Sequence, residues 1–301
     1  MTNLLTSHLG ETLAILCGLF WAMAVCLFKK SGETMRPMSL NLFKNCLGVA
    51  FFAVTLAVLR QPLFIDAPPG DYALVILSGL VGMSVADTLF LSSLNKTGAS
   101  VWGLVDCLYT PSVIVFAYLL LGERLTWSLW AGASLIIAAI LIALLNLDQL
   151  KNLRRSGIAS GVLEGVAAIV LMALAAVLMK PVLQAGRPVI WITQLRLIAG
   201  TVGLVILVLF RRDRGAVFAG MWPGRRWKYM AAGAFFGPYV TILLWVAGMK
   251  FIQVSAAAIL NQLSVFFIFI LAYFFLNEPL SLRKMLALVV AFTGVVFVVG
   301  F

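Results

Sequence analysis

Ten apolar stretches of roughly 20 residues follow one another along the chain, at 9–28, 38–59, 72–94, 99–121, 127–146, 157–179, 188–210, 228–249, 254–276 and 281–300. Each is long enough to cross about 30 Å of hydrocarbon as an α-helix. Backbone N–H and C=O groups in lipid must be satisfied within the protein, which leaves helices or closed barrels. These runs are too long and too uniformly apolar for barrel strands. The pattern predicts an all-α membrane protein of ten transmembrane helices. The longest connection, 211–227, reads as a short basic loop, leaving no room for a separate soluble domain. The first stretch lacks the basic n-region and small-residue cleavage site of a signal peptide, so a retained helix is expected.

The pattern repeats. "LFKKSGETMRPMSLNLFKN" (27–45) aligns with "LMKPVLQAGRPVIWITQLR" (178–196), placing Lys29, Arg36 and Pro37 on Lys180, Arg187 and Pro188. "ASVWGLVDCLYTPSVIVFAYLLLGERLT" (99–126) aligns with "VSAAAILNQLSVFFIFILAYFFLNEPLS" (254–281). There Ser100, Tyr118 and Glu123 fall on Ser255, Tyr273 and Glu278, and Asp106 falls on Asn261. Two units of five helices are expected, 1–150 and 151–301. Because five is odd, the second unit must enter the membrane from the opposite side. Such an inverted-topology repeat is the architecture of secondary transporters, with a substrate site near the midplane between the halves.

Composition agrees with a lipid environment. Of 301 residues, 63% are hydrophobic and only 11% charged, with mean hydropathy +1.08. Soluble domains carry about 25% charged residues. The net charge of +11 would suggest nucleic acid on a soluble protein, but here it follows the positive-inside rule. With ten spans, five Lys and Arg fall on the side of the N-terminus and sixteen on the other, Lys44 and Lys96 included, while Arg196 lies inside a span. That bias favours both termini outside the cytoplasm. Cys17, Cys26, Cys46 and Cys107 lie in apolar spans without metal-ligand spacing and read as packing residues. The single histidine, His8, precedes the first span. No nucleophile–base motif and no phosphate-binding glycine loop occurs, so neither an enzyme nor a cofactor or metal is expected. The expected partners are a small-molecule substrate and the lipid bilayer, not nucleic acid, and the working unit a monomer or homodimer.

The pair "LGERLT" (121–126) and "LNEPLS" (276–281), with "GLFWAMAVCLFKK" (18–30), resembles the drug/metabolite transporter superfamily, EamA type. The resemblance runs the length of the chain. It implies a carrier of the bacterial inner membrane, often an exporter of amino acids, metabolites or toxic compounds. "MTNLLTSHLGE" departs from the basic N-terminal tail common in that family.

Ionisable groups at membrane depth cost about 3 kcal/mol on insertion scales, so they should face a cavity or a partner. Lys44, Asp87, Asp106, Glu164 and Arg196 are such groups. Asp106 shares a helix face with Gly103 and Tyr109, and an acid beside aromatic rings suits an amino group or cation. Its alternative is an ion pair with Lys44 or Arg196. Arg196 can clamp a carboxylate bidentately, or pair with Glu164. Lys44 is expected to be shallow enough to snorkel. Glu164 and Asp87 are candidate proton carriers, since a carboxyl group in a poorly hydrated cavity can bind and release a proton in the working range. Asn261 and Gln262 are candidate substrate hydrogen-bonders or interhelical glue. Trp21, Tyr239 and Trp245 are candidate cavity aromatics. Pro111 and Pro238 are expected to kink their helices. Glu123 and Glu278 are expected to serve the turns that follow their helices. Together these residues suggest a secondary carrier for a small zwitterion such as an amino acid, with an organic-cation or drug exporter as the alternative.

Overall fold

The computed structural model describes residues 9–122, 127–144, 157–222, 227–245, 261–279 and 281–299, and these are helices and short connections without a strand. The first unit holds α1 (Leu9–Gly32), α2 (Pro37–Val58), α3 (Pro69–Thr97), α4 (Ala99–Leu121) and α5 (Trp127–Leu144). The second holds α6 (Ile158–Gln184), α7 (Val189–Leu209), α8 (from Trp227, described to residue 245), α9 (Leu263–Leu276) and α10 (Leu282–Val299). Six of them, α1 to α4, α6 and α7, are by themselves long and apolar enough to cross a membrane.

Several helices outrun their apolar stretches, for local reasons. α3 starts on Pro69 with Asp71 in its first turn, where a missing N–H and a negative charge both suit a helix start. α1 runs on to Gly32 through Lys29 and Lys30, whose charges favour a helix C-terminus. α4 closes on Gly122 in the left-handed conformation, and α9 closes in the same way on its repeat equivalent, Asn277. The 211–227 connection is not wholly a loop. It contains a short helix, Arg214–Ala219, held to α2 by Ser39 Oγ donating to the Val217 carbonyl at 2.8 Å.

The helix contacts obey the repeat. α2 packs on α7, α4 on α9 and α5 on α10; α1 packs on α8 and α9, and correspondingly α6 packs on α3 and α4. Exchanging the first five helices for the last five returns the same set. Two ion pairs fix the relative direction. Arg36, just before α2, pairs with Asp213, just after α7, at 2.9 Å. Arg187, just before α7, pairs with Asp71 at the start of α3, also at 2.9 Å. The equivalent helices α2 and α7 therefore run antiparallel, as inverted topology requires.

A second symmetric feature has no signature in the apolar pattern. α3 widens into a π-helical turn at Leu80–Ala86, and α8 does so at Phe235–Thr241. The register that places Asp106 on Asn261 places residue 80 on 235, and Gly82 on Gly237. Pro238 sits inside the second wide turn, where its missing N–H is part of the break in the regular ladder. Such turns interrupt helices rarely and concentrate at functional positions.

Candidate functional site

Three interrupted helices, α3, α4 and α8, and the start of α9 meet at the centre. In α4 the regular ladder stops at Cys107 and Leu108, whose N–H groups bond to carbonyls only three residues back, Leu104 at 3.2 Å and Val105 at 3.0 Å. Pro111 explains the break, because it cannot donate to the carbonyl of Cys107. Asp106 is the last residue before the break and Tyr109 the first after it. In α9, Asn261 and Gln262 stand at the matching place, immediately ahead of the helix that starts at Leu263. The wide turns of α3 and α8 complete the ring.

Between them lies a cavity of about 200 Å³. Trp21, Lys44, Asp87 and Asp106 line it, as do Tyr109, Arg196, Asn261 and Gln262. Trp245 also lines it, with Gly82 and Met83 from one wide turn and Gly237, Pro238 and Thr241 from the other. Two candidates stand elsewhere. Tyr239 faces α2 rather than the cavity, its hydroxyl 2.9 Å from Thr55 Oγ1 and its ring against Phe51 and Phe52, because the wide turn points its neighbours Pro238 and Thr241 inward instead. Glu164 is half-buried on α6 and paired with Lys96 at the end of α3, not with Arg196.

The charges inside the cavity are not all matched. Lys44 does not snorkel; it is 3% exposed, and its Nζ pairs with Asp87 Oδ2 and donates to Asn45 Oδ1 at 2.9 Å. Its own helix carries it to the cavity wall, where a carboxylate on the adjoining α3 compensates the charge. With Lys44 committed to Asp87 and Glu164 to Lys96, neither is left for Asp106 or Arg196. Among the described residues Arg196 has no carboxylate partner. Its Nη1 reaches only Met179 Sδ at 3.4 Å, and its Nε is buried without a hydrogen-bond partner. Asp106 likewise has no ion pair there; the Trp21 indole is within hydrogen-bonding reach of it. Tyr109, which lines the cavity with them, lies within electrostatic reach of both Asp106 and Arg196.

The neutral groups are partly committed. Gln262 Nε2 donates to Thr110 Oγ1 at 2.9 Å, while its Oε1 has no partner. Asn261 Oδ1 accepts from the Cys17 thiol at 3.4 Å. Cys17 is thus a wall residue and not mere packing, which nothing in its apolar surroundings along the chain would reveal. Glu278 was also misread from the sequence: it serves α4, far away in the chain, rather than the turn it belongs to. Glu123 and His8 lie outside the described residues.

These features define a multi-pass membrane protein with a central, polar-lined cavity between two inverted halves. Residues 8–145 and 159–300 match the EamA-like transporter family, and the chain belongs to it. It is similar to an uncharacterized transporter of Methanothermobacter thermautotrophicus, at 24% identity over 297 residues covering 95% of this chain and 84% of that protein. Its fold is similar to a solved crystal structure with a TM-score of 0.64 at 20% identity, covering 97% of this chain and 95% of the other.

Proposed function

We propose that this transporter moves small zwitterionic metabolites, amino acids or close relatives, by alternating access through the central cavity. The observation that carries the reading is the pair of opposite charges without an ion-pair partner among the described residues, Asp106 and Arg196, that line one cavity. Asp106 receives the ammonium group and Arg196 the carboxylate, the latter through the paired N–H groups of its guanidinium. Tyr109, Asn261 and Gln262 supply neutral hydrogen bonds, and Trp21 a ring face. A volume of about 200 Å³ suits a small solute, since pockets for drug-sized ligands run to roughly 300–1,000 Å³. Asp87, which lines the cavity in an ion pair with Lys44, is the proton-coupling residue we favour; Glu164 stands outside the cavity and takes second place. Export as the direction and a bacterial inner membrane as the location rest on family resemblance. An organic-cation exporter of the same fold is favoured by one observation, the aromatic company of Asp106, but it leaves the unpaired Arg196 without a purpose.

The experiment is uptake into proteoliposomes over a panel of radiolabelled amino acids and organic cations, with and without a proton gradient, alongside D106N and R196Q. Movement of zwitterions that both variants abolish while remaining folded supports the reading. Movement of cations alone, undiminished in R196Q, replaces it with the cation exporter.

A further inference from the structure

The first N–H groups of α4 have no partner within the helix. They are satisfied from the other half of the protein. Glu278, in the connection between α9 and α10, accepts from the Ala99 N–H at 2.7 Å through Oε1. Its Oε2 accepts from the Ser100 N–H at 3.0 Å and the Ser100 hydroxyl at 2.6 Å. The seat is shaped for this carboxylate. Gly98 precedes the helix with φ +83°, and a Cβ there would lie 2.8 Å from Oε1. Lys29, at the end of α1, lies within electrostatic reach of Glu278 and donates to the Asn95 carbonyl at 2.8 Å. These groups gather the ends of α1, α3 and α9 and the start of α4 at one membrane face.

We propose that Glu278 is a gating residue for transport, whose carboxylate clasps the second half to α4 and closes this face over the cavity, and which must release α4 for substrate to pass there. The proposal rests on the carrier reading above. Three properties make the contact a clasp rather than a fixed joint. It spans the two halves, which must move relative to one another if access alternates. All three hydrogen bonds end on one carboxylate, so they break together. Glu278 is only half-buried at the end of its helix, so water can take over those bonds on opening, which the enclosed Lys44–Asp87 pair cannot expect.

The test is accessibility of a cavity-wall reporter, Ala176→Cys, in a chain whose four native cysteines are replaced by alanine. A membrane-impermeant maleimide is applied to vesicles of each orientation without substrate. E278A is expected to raise labelling from the Glu278 face several-fold relative to the opposite face. S100A, which removes one of the three bonds, is expected to shift the ratio in the same direction by less, and it carries the test if E278A does not accumulate in the membrane. An unmoved ratio in the variants that fold overturns the proposal, even if their thermal stability falls, because a purely structural cap changes stability and not the side from which the cavity opens. The two readings fail separately: a transporting protein with an unmoved ratio overturns the clasp, whereas a shifted ratio without transport of any zwitterion or cation counts against the substrate reading alone.

Discussion

Arg196→Met separates function from stability, because the two effects have opposite signs. Arg196 is 8% exposed and has no carboxylate partner among the described residues. Burying an unpaired charge costs several kcal/mol, and the adjoining cavity, by admitting water, reduces that to about 1–3 kcal/mol. Methionine has a similar length, carries no charge and would lie beside Met179, so the substrate-free protein should become more stable. At about 2 °C per kcal/mol for a chain of this size, Tm should rise by roughly 2–6 °C in a thermal-shift assay. No new orphan is created, since Asp87 keeps Lys44. Substrate, however, loses hydrogen bonds to a charged group worth about 1.5–3 kcal/mol, which raises KM by roughly 10- to 150-fold in proteoliposome uptake of a zwitterion. A fall in Tm would mean the guanidinium holds the fold together. An unchanged KM would mean no carboxylate is bound there. Either result refutes the assignment.

Other consequences are as direct. Lys44→Ala leaves Asp87 buried and unpaired and should destabilise by about 3–5 kcal/mol, while K44A/D87A recovers most of the loss; a double-mutant cycle with coupling near zero would refute the pair. Gly200→Ala should cost about 1–3 kcal/mol from overpacking, read as a lower Tm, because its Cβ would meet Met83 Cβ at 2.3 Å and the Gly79 carbonyl at 2.9 Å, where α7 crosses α3. At the membrane surface, the hydrogen bond from Arg211, with the nearby charges of Arg211 and Arg36, holds the Asp213 carboxyl below its usual range. A depressed carboxylate stabilises the fold above its unfolded value, about 3.9, and loses that contribution as pH falls through the lower folded value. The Tm difference between the wild type and D213N should therefore shrink as pH drops below about 4, by a small amount because the group is exposed.

The number of helices, the repeat and the residues gathered at the cavity were readable for one reason: lipid punishes charge. A lysine, an arginine or an acid inside an apolar stretch must have compensation, so Asp87, Asp106 and Arg196 point to the interior; the same rule also marks Glu164, which lies outside the cavity, and leaves Lys44 free to snorkel, which it does not. Who compensates whom was not readable. Lys44 finds Asp87 and Lys96 finds Glu164 across helix packing, 43 and 68 residues away, and periodicity carries no information about that. The break at Asp106 was half legible, because Pro111 signals a lost hydrogen bond without saying which turn yields. Tyr239 was misplaced because regular helix spacing fails at a wide turn. Glu278 was misread for a similar reason, since a cap is assumed to be local and this one comes from the far end of the chain.

The two wide turns bear on ancestry. One extra residue in a helix rotates everything beyond it by about 100°. Two separate insertions at matching places, 80–86 and 235–241, are a less economical history than a single one that preceded duplication. On that history the founding five-helix unit already carried the turn, and two copies inserted in opposite directions would have enclosed this cavity with identical walls. Identical walls cannot tell one end of a ligand from the other. In the present chain the two halves differ at matching positions: the first has Asp106 where the second has Asn261, and the second has Arg196 where the first has Asn45. The symmetric frame of the fold thus carries unlike polar groups at matching positions, and such groups can tell one end of a ligand from the other.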